Sequence, residues 1–141
     1  LEPSFKKWKT ARNTEALAVE PASSAEFSQK ARELRDLGNR LRFSGSLIQA
    51  AEAFRRALRL DPRDGWVLFD LGRCLLSLAG YERDRKLHRR AVALMRLAER
   101  RAGDDGELLS RLGEAYFQVG DWRRANSAFK RAVDLLGDGF R

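Results

Sequence analysis

Residues 109–132, LSRLGEAYFQVGDWRRANSAFKRA, decide the fold of this 141-residue chain. The apolar and small residues that form the pattern are Leu109, Leu112, Gly113, Tyr116, Ala125, Phe129 and Ala132. Spacings of three and four residues are typical of amphipathic helices, and Gly120 separates the two groups with a turn signal. Glycine and alanine at the inner positions allow two helices to approach closely. The stretch therefore predicts two antiparallel helices joined by a short turn.

The same pattern occurs twice earlier in the chain. In the first copy the corresponding residues are Leu34, Leu37, Gly38, Leu41, Ala50, Phe54 and Ala57, at identical offsets. The second copy consists of Leu68, Leu71, Gly72, Leu75, Ala91, Met95 and Ala98. Its second half comes late, because Ala91 follows Gly72 by 19 positions whereas Ala50 follows Gly38 by 12. A seven-residue insertion explains the difference and predicts a longer, protruding second helix in this unit.

These copies resemble the tetratricopeptide repeat (TPR), a helix–turn–helix unit of about 34 residues. The resemblance implies an all-α protein, an α-solenoid of antiparallel helix–turn–helix repeats wound into a right-handed superhelix. It places three repeats at about 31–64, 65–105 and 106–139, with the start of a fourth at 140. We assign residues 24–141 to this domain and residues 1–23 to a basic and aromatic helix or linker.

Turn residues set the expected helix boundaries. Asp–Gly pairs begin at Asp64, Asp105 and Asp138, and each aspartate is suited to cap a following helix. Pro62 ends the helix before it, because the residue preceding a proline avoids the α region. The predicted helices are 24–43, 47–60, 66–79, 82–102, 106–118 and 122–136.

The composition excludes several classes of function. One cysteine cannot form an intrachain disulfide, and with one histidine it cannot form a zinc site by itself. We find no phosphate-binding glycine loop, dinucleotide fingerprint or cluster of histidine and carboxylates, so we predict no enzymatic activity and no cofactor. Cys74 is expected in the core and His88 at a solvated or otherwise satisfied position. No apolar run approaches the ~20 residues that span a bilayer.

The charge of the chain favours acidic partners. There are 28 Lys and Arg residues against 20 Asp and Glu, which gives a formal net charge of +8 spread along the sequence. Arginine predominates, and its planar guanidinium suits carboxylates and phosphates. A nucleic-acid-binding module is therefore one alternative function, although the acids interrupt any single basic stripe.

The resemblance implies that the first helix of each repeat lines a concave groove, which binds a peptide or a partner's helix. The groove residues in this phase are Arg32, Arg35, Asn39, Arg42, Phe43, Trp66, Phe69, Arg73, Arg111 and Phe117. Guanidinium groups interleaved with aromatic rings are typical of binding hot spots. The sequence thus predicts a non-catalytic scaffold for an acidic or carboxylate-bearing, partly apolar peptide. Alternatively, these arginines are solvated and the aromatic rings only pack.

Some TPR domains bind chaperone C-termini through a carboxylate clamp, and the match to that clamp is partial. Arg35, Asn39 and Arg111 are acceptable clamp residues. Asp70 stands where an asparagine is expected, and Glu107 where a lysine is expected. Because two carboxylates oppose a third, we do not expect this chain to belong to the clamp subfamily.

The insertion carries a second candidate surface. Its basic residues are Arg83, Lys86, Arg89 and Arg90. They form either a second contact patch for an acidic partner or a solvated face.

Three further expectations concern context. The chain is expected to be cytoplasmic. A link to a membrane is expected only through a segment outside the chain. The other alternative function is that of a regulatory or targeting arm of a larger membrane-anchored or enzymatic protein. Residues 1–23 either form a helix docked on the first unit, serve as a linker, or flank a membrane span. We also expect self-association through Phe129, Val133 or Leu136, because solenoid ends need covering.

Overall fold

The computed structural model describes residues 24–137, which form α-helices and contain no strand. The helices are α1 (Ser24–Phe43), α2 (Leu47–Leu60), α3 (Gly65–Glu82), α4 (Arg85–Arg101), α5 (Gly106–Gln118) and α6 (Trp122–Leu136). Consecutive helices pack as hairpins, α1 with α2, α3 with α4 and α5 with α6, and each hairpin packs on the next. This is the all-α solenoid that the sequence predicts.

Aspartate side chains begin four of these helices. Asp64 accepts hydrogen bonds from the backbone nitrogens of Trp66 and Val67, at 3.0 and 3.3 Å. The other three N-caps of this kind are Asp84, Asp105 and Asp121. Each such cap contributes about 1 kcal/mol to helix stability. The predicted caps at Asp64 and Asp105 are therefore confirmed, whereas Asp138 lies outside the described residues.

The second hairpin differs from its prediction. Helix α3 continues ten residues beyond Gly72, whereas α1 and α5 continue five residues beyond Gly38 and Gly113. Leu78 packs against the core in this added part of α3. Helix α4 gains only three residues at its start relative to α2 and α6. The predicted longer second helix is thus present only in part, since most of the added length extends the first helix.

Two apolar clusters hold the hairpins together. Phe54 fills the space between the first two hairpins and Met95 the space between the second and third, and both are fully buried. Cys74 is also fully buried, as predicted, in the cluster between the first two hairpins. A Cβ atom built on Gly113 would lie 2.7 Å from the ring of Phe129, which shows how closely α5 and α6 approach.

The last turn of α6 has an apolar, partly exposed surface. Val133, Leu135 and Leu136 expose 39 to 43% of their surface. Phe129, by contrast, packs against the core and is not part of this exposed face. The predictions made for residues 1–23 and for a fourth repeat at 140 lie outside the described residues.

Candidate functional site

A cavity of about 770 Å³ opens between α1, α3 and the first turns of α5. We call it the groove, and its lining residues are Arg35, Asn39, Arg42, Phe43, Trp66, Phe69, Asp70, Arg73, Glu107 and Arg111. Eight of the ten residues predicted to face a common groove are in this set. The helical phase brings them together, since each lies on the same side of the first helix of its hairpin.

Two predicted residues lie elsewhere. Arg32 is exposed and donates a hydrogen bond to Oε1 of Gln29 at 2.9 Å, one turn away from the groove. Phe117 is 54% exposed, and its ring packs edge-on against Trp122 with 4.8 Å between the ring centroids. Phe117 therefore packs beside the turn of the third hairpin and does not line the groove.

Asp70 is the centre of the groove floor. Its side chain is only 1% exposed, and it forms ion pairs with Arg35, at 3.5 Å, and with Arg73. Asn39 donates a further hydrogen bond to the Asp70 Oδ2 atom at 3.5 Å. A buried carboxylate needs such partners because water no longer solvates it. These contacts also tie α1 to α3 and fix the two guanidinium groups in the groove.

Aromatic rings stack against three of the arginines that line the groove. The stacked pairs are Arg35 over Trp66 at 5.3 Å, Arg42 over Phe43 at 4.5 Å and Arg73 over Phe69 at 4.4 Å, measured from the guanidinium carbon to the ring centroid. Cation–π contacts of this kind stabilise the guanidinium plane and restrict its rotation. The arginines are therefore positioned before any ligand arrives.

The groove has more positive charge than its own carboxylates neutralise. Four arginines and two carboxylates line it, which leaves a formal charge of +2. The Nε atoms of Arg42 and Arg73 are buried and lack a hydrogen-bond partner among the described residues, and so does Oδ1 of Asn39. Burial, and next the nearby charge of Arg73, lower the pKa of Arg42. The combined charge of these two arginines favours an anionic group beside them.

A contact between hairpins sets the width of the groove. The indole nitrogen of Trp66 donates a hydrogen bond to Oδ2 of Asp105 at 2.6 Å, while Oδ1 of Asp105 caps α5. One aspartate thus joins the first turns of α3 and α5. Sequence reasoning missed this contact, and the recurring Asp–Gly pairs were its only signal.

The basic residues of the predicted second patch line different cavities or none. Arg83 lines a cavity of about 610 Å³ together with Arg85 and His88. Arg90 lines a different cavity, on another face of α4, and neither cavity is lined by Lys86 or Arg89. Lys86, Arg89 and Arg90 lie within about 100° of one another around α4, whereas Arg83 lies in the turn before it.

The described residues include one cysteine, Cys74, and one histidine, His88. They contain no group of three or more His, Cys, Asp or Glu side chains that could hold a metal ion. Burial raises the pKa of the Cys74 thiol to about 11, so this thiol is a poor nucleophile. None of the helices within residues 24–137 combines the length and apolar content of a membrane span.

Comparison with known proteins identifies the fold. No protein-family model and no curated protein matches the chain. Among solved structures, it is similar to the first TPR of Spaghetti (RPAP3), bound in that structure to the HSP90 peptide SRMEEVD. The TM-score is 0.62 at 22% sequence identity, over 80% of this chain and 84% of the other. At this identity the likeness shows the fold, which is a TPR-like helical solenoid.

Proposed function

We propose that the chain is a non-catalytic protein-interaction module, whose groove binds an acidic, partly apolar peptide segment. The hairpins then correspond to TPR repeats at about 31–64, 65–105 and 106–139, the second with a seven-residue insertion. The TPR-like fold supports this proposal, as does the acidic peptide bound by the similar domain.

The pair of half-buried guanidinium groups, Arg42 and Arg73, is the observation that carries the proposal. Their Nε atoms lack partners in the described residues, and burial, followed by the charge of Arg73, lowers the pKa of Arg42. Charge-assisted hydrogen bonds to a carboxylate are stronger than those to a neutral acceptor. The ring of Phe43, 80% exposed beside them, offers contact area for an apolar side chain. A peptide that alternates carboxylates with apolar residues matches this arrangement.

The ligand's carboxylates are expected on side chains rather than paired at a C-terminus. Asp70 already occupies the donors of Arg35 and Arg73 that a terminal carboxylate would need. Glu107 adds a second negative charge to the lining. A single side-chain carboxylate bound at Arg42 avoids both the occupied donors and the charge of Glu107. The clustered carboxylates of a C-terminus would meet both.

Fluorescence anisotropy tests the proposal with a labelled, amidated peptide of about ten residues that alternates Asp or Glu with Phe or Leu. We expect saturable binding, and binding roughly tenfold weaker for the matched peptide with Asn and Gln. The double variant Arg42→Gln, Arg73→Gln should lose roughly tenfold in affinity. The control variant Arg123→Gln, Lys130→Gln removes the same charge from exposed positions on α6 and should change affinity less than about twofold.

Two outcomes would reject the proposal. One is equal binding of the acidic and neutral peptides by the wild-type chain. The other is binding of an oligonucleotide with a steep dependence on salt, unaltered in the Arg42→Gln, Arg73→Gln variant, which would indicate a nucleic-acid-binding module instead.

A further inference from the structure

A second cavity, of about 560 Å³, lies between α2 and α4. We call it the α2/α4 slot, and its lining residues are Arg55, Leu71, Leu75, Arg90, Ala93, Leu94, Leu97 and Arg100. It shares none of these residues with the groove. Its floor is a strip of α3, which α2 and α4 flank on either side. The slot is therefore a separate surface with its own chemistry.

The arginines of the slot are free of internal partners. Arg55, Arg90 and Arg100 form no hydrogen bond or ion pair within residues 24–137. No carboxylate is among the residues that line the slot in this part of the chain. In the groove, by contrast, Asp70 neutralises part of the charge. The slot combines five apolar side chains with three unpaired cations, so it complements an acidic amphipathic ligand.

The spacing of the cations selects the class of ligand. Arg90 and Arg100 lie at the two ends of an apolar row on α4 and are ten residues apart, or ~15 Å along the helix. A fatty acid has one headgroup, so its hydrocarbon tail would meet the second guanidinium. A helix with one carboxylate near each end would pair with both arginines and place apolar side chains on Leu71 and Leu97.

We propose that the α2/α4 slot binds an amphipathic acidic helix of a partner protein. Helices commonly bind apolar grooves through anchors spaced by three and four residues. Here two carboxylates about eleven positions apart flank such anchors, because that spacing returns to one face of a helix. The groove and the slot then bind different segments, and one chain can join two partners.

The probe is a labelled helical peptide of roughly 16 residues, stapled on its solvent face. It carries a glutamate near each end, about eleven positions apart, and three leucines between them on the same face. We expect saturable anisotropy for this peptide and none for a scrambled peptide of equal composition. The double variant Arg90→Glu, Arg100→Glu should weaken binding roughly tenfold or more.

Two control variants make the result specific to the slot. The double variant Arg96→Glu, Lys130→Glu changes the net charge equally at exposed positions outside the slot, and affinity should fall less than about twofold. Arg42→Gln, Arg73→Gln should bind the helical peptide normally, which separates this proposal from that for the groove. Ala93→Glu places a carboxylate in the exposed wall of the slot and should weaken binding without affecting the fold.

The proposal is overturned if the helical peptide does not saturate, if the scrambled peptide binds equally, or if the Arg96→Glu, Lys130→Glu control loses as much affinity. Saturable binding of palmitate without binding of the helical peptide would also overturn it, in favour of a lipid ligand. Circular dichroism of every variant excludes loss of fold as the cause.

Discussion

Asp70 is an internal counterion for the groove. Its carboxylate takes up donors of Arg35, Asn39 and Arg73 and so occupies part of the space and charge that a ligand carboxylate would use. The affinity of the groove for anions is thereby limited, and its arginines are held in place without a ligand.

The substitution Asp70→Asn should therefore raise affinity for the amidated acidic peptide by roughly fivefold or more, because a competing negative charge is removed. Stability should fall by about 1–2 kcal/mol, since two partly exposed guanidinium groups lose their carboxylate. Anisotropy and urea unfolding measure the two effects. Glu52→Gln removes one charge from an exposed position on α2 and is the control. Equal affinity gains in both variants would contradict the role given to Asp70.

Cys74 is expected to be inert in the folded chain. Burial raises the pKa of its thiol from an ordinary value of 9.0 to about 11, so the fold favours the protonated form. The protonated Cys74 thiol contributes to the free energy of unfolding below about pH 9, and this contribution is lost as pH rises towards 11. At about pH 8, iodoacetamide should label the native chain at least ~100-fold more slowly than the chain in urea. Rapid labelling with an intact circular dichroism spectrum would contradict this.

Among the helices, small residues decide how closely two helices of a hairpin approach. Gly113→Ala should destabilise the chain by about 1–3 kcal/mol, because the new Cβ atom would lie 2.7 Å from the ring of Phe129. Gly80→Ala lies within α3 with no atom within 4 Å of the new Cβ, and it should stabilise the helix by about 0.5–1 kcal/mol. Urea unfolding compares the two variants. Effects of the same sign would show that helix propensity alone is at work.

Four helices have the predicted boundaries, and two do not. The bounds of α1, α2, α5 and α6 could be predicted, because glycine, proline or aspartate marks their ends. The turn between α3 and α4 depends on Arg83, which adopts a left-handed conformation with φ 54°. Arginine carries no sequence signal for that conformation, so the end of α3 lacks the local marker that the other helices have.

The groove, too, could be predicted only in part. Helical phase was enough to predict eight lining residues, since it depends only on position along each helix. The role of Asp70 and the bond from Trp66 to Asp105 depend on side-chain directions between hairpins, which no local pattern contains. The α2/α4 slot was missed for the same reason, because three helices contribute to it.

For the whole molecule, two surfaces differ in how their arginines are paired. The groove holds stacked and partly neutralised arginines, while the α2/α4 slot holds unpaired ones. Binding in the slot should therefore weaken more steeply with salt than binding in the groove, since stacking and burial are screened less than exposed charge. Anisotropy titrations of both peptides from about 0.05 to 0.5 M NaCl compare the slopes. Equal slopes would indicate that the internal pairing of the groove does not affect binding.

The exposed apolar face of α6 should cause the chain to self-associate at high concentration. Val133, Leu135 and Leu136 lie in the last turn of α6, and covering them in a second copy removes apolar surface from water. Sedimentation equilibrium up to ~1 mM should show dimers, and Val133→Glu with Leu136→Glu should abolish them. Ile48→Glu, at a side chain that is 69% exposed in the first hairpin, should leave the dimer intact. A monomer at every concentration, or dimers that persist in the α6 variant, would show that this face is tolerated in water.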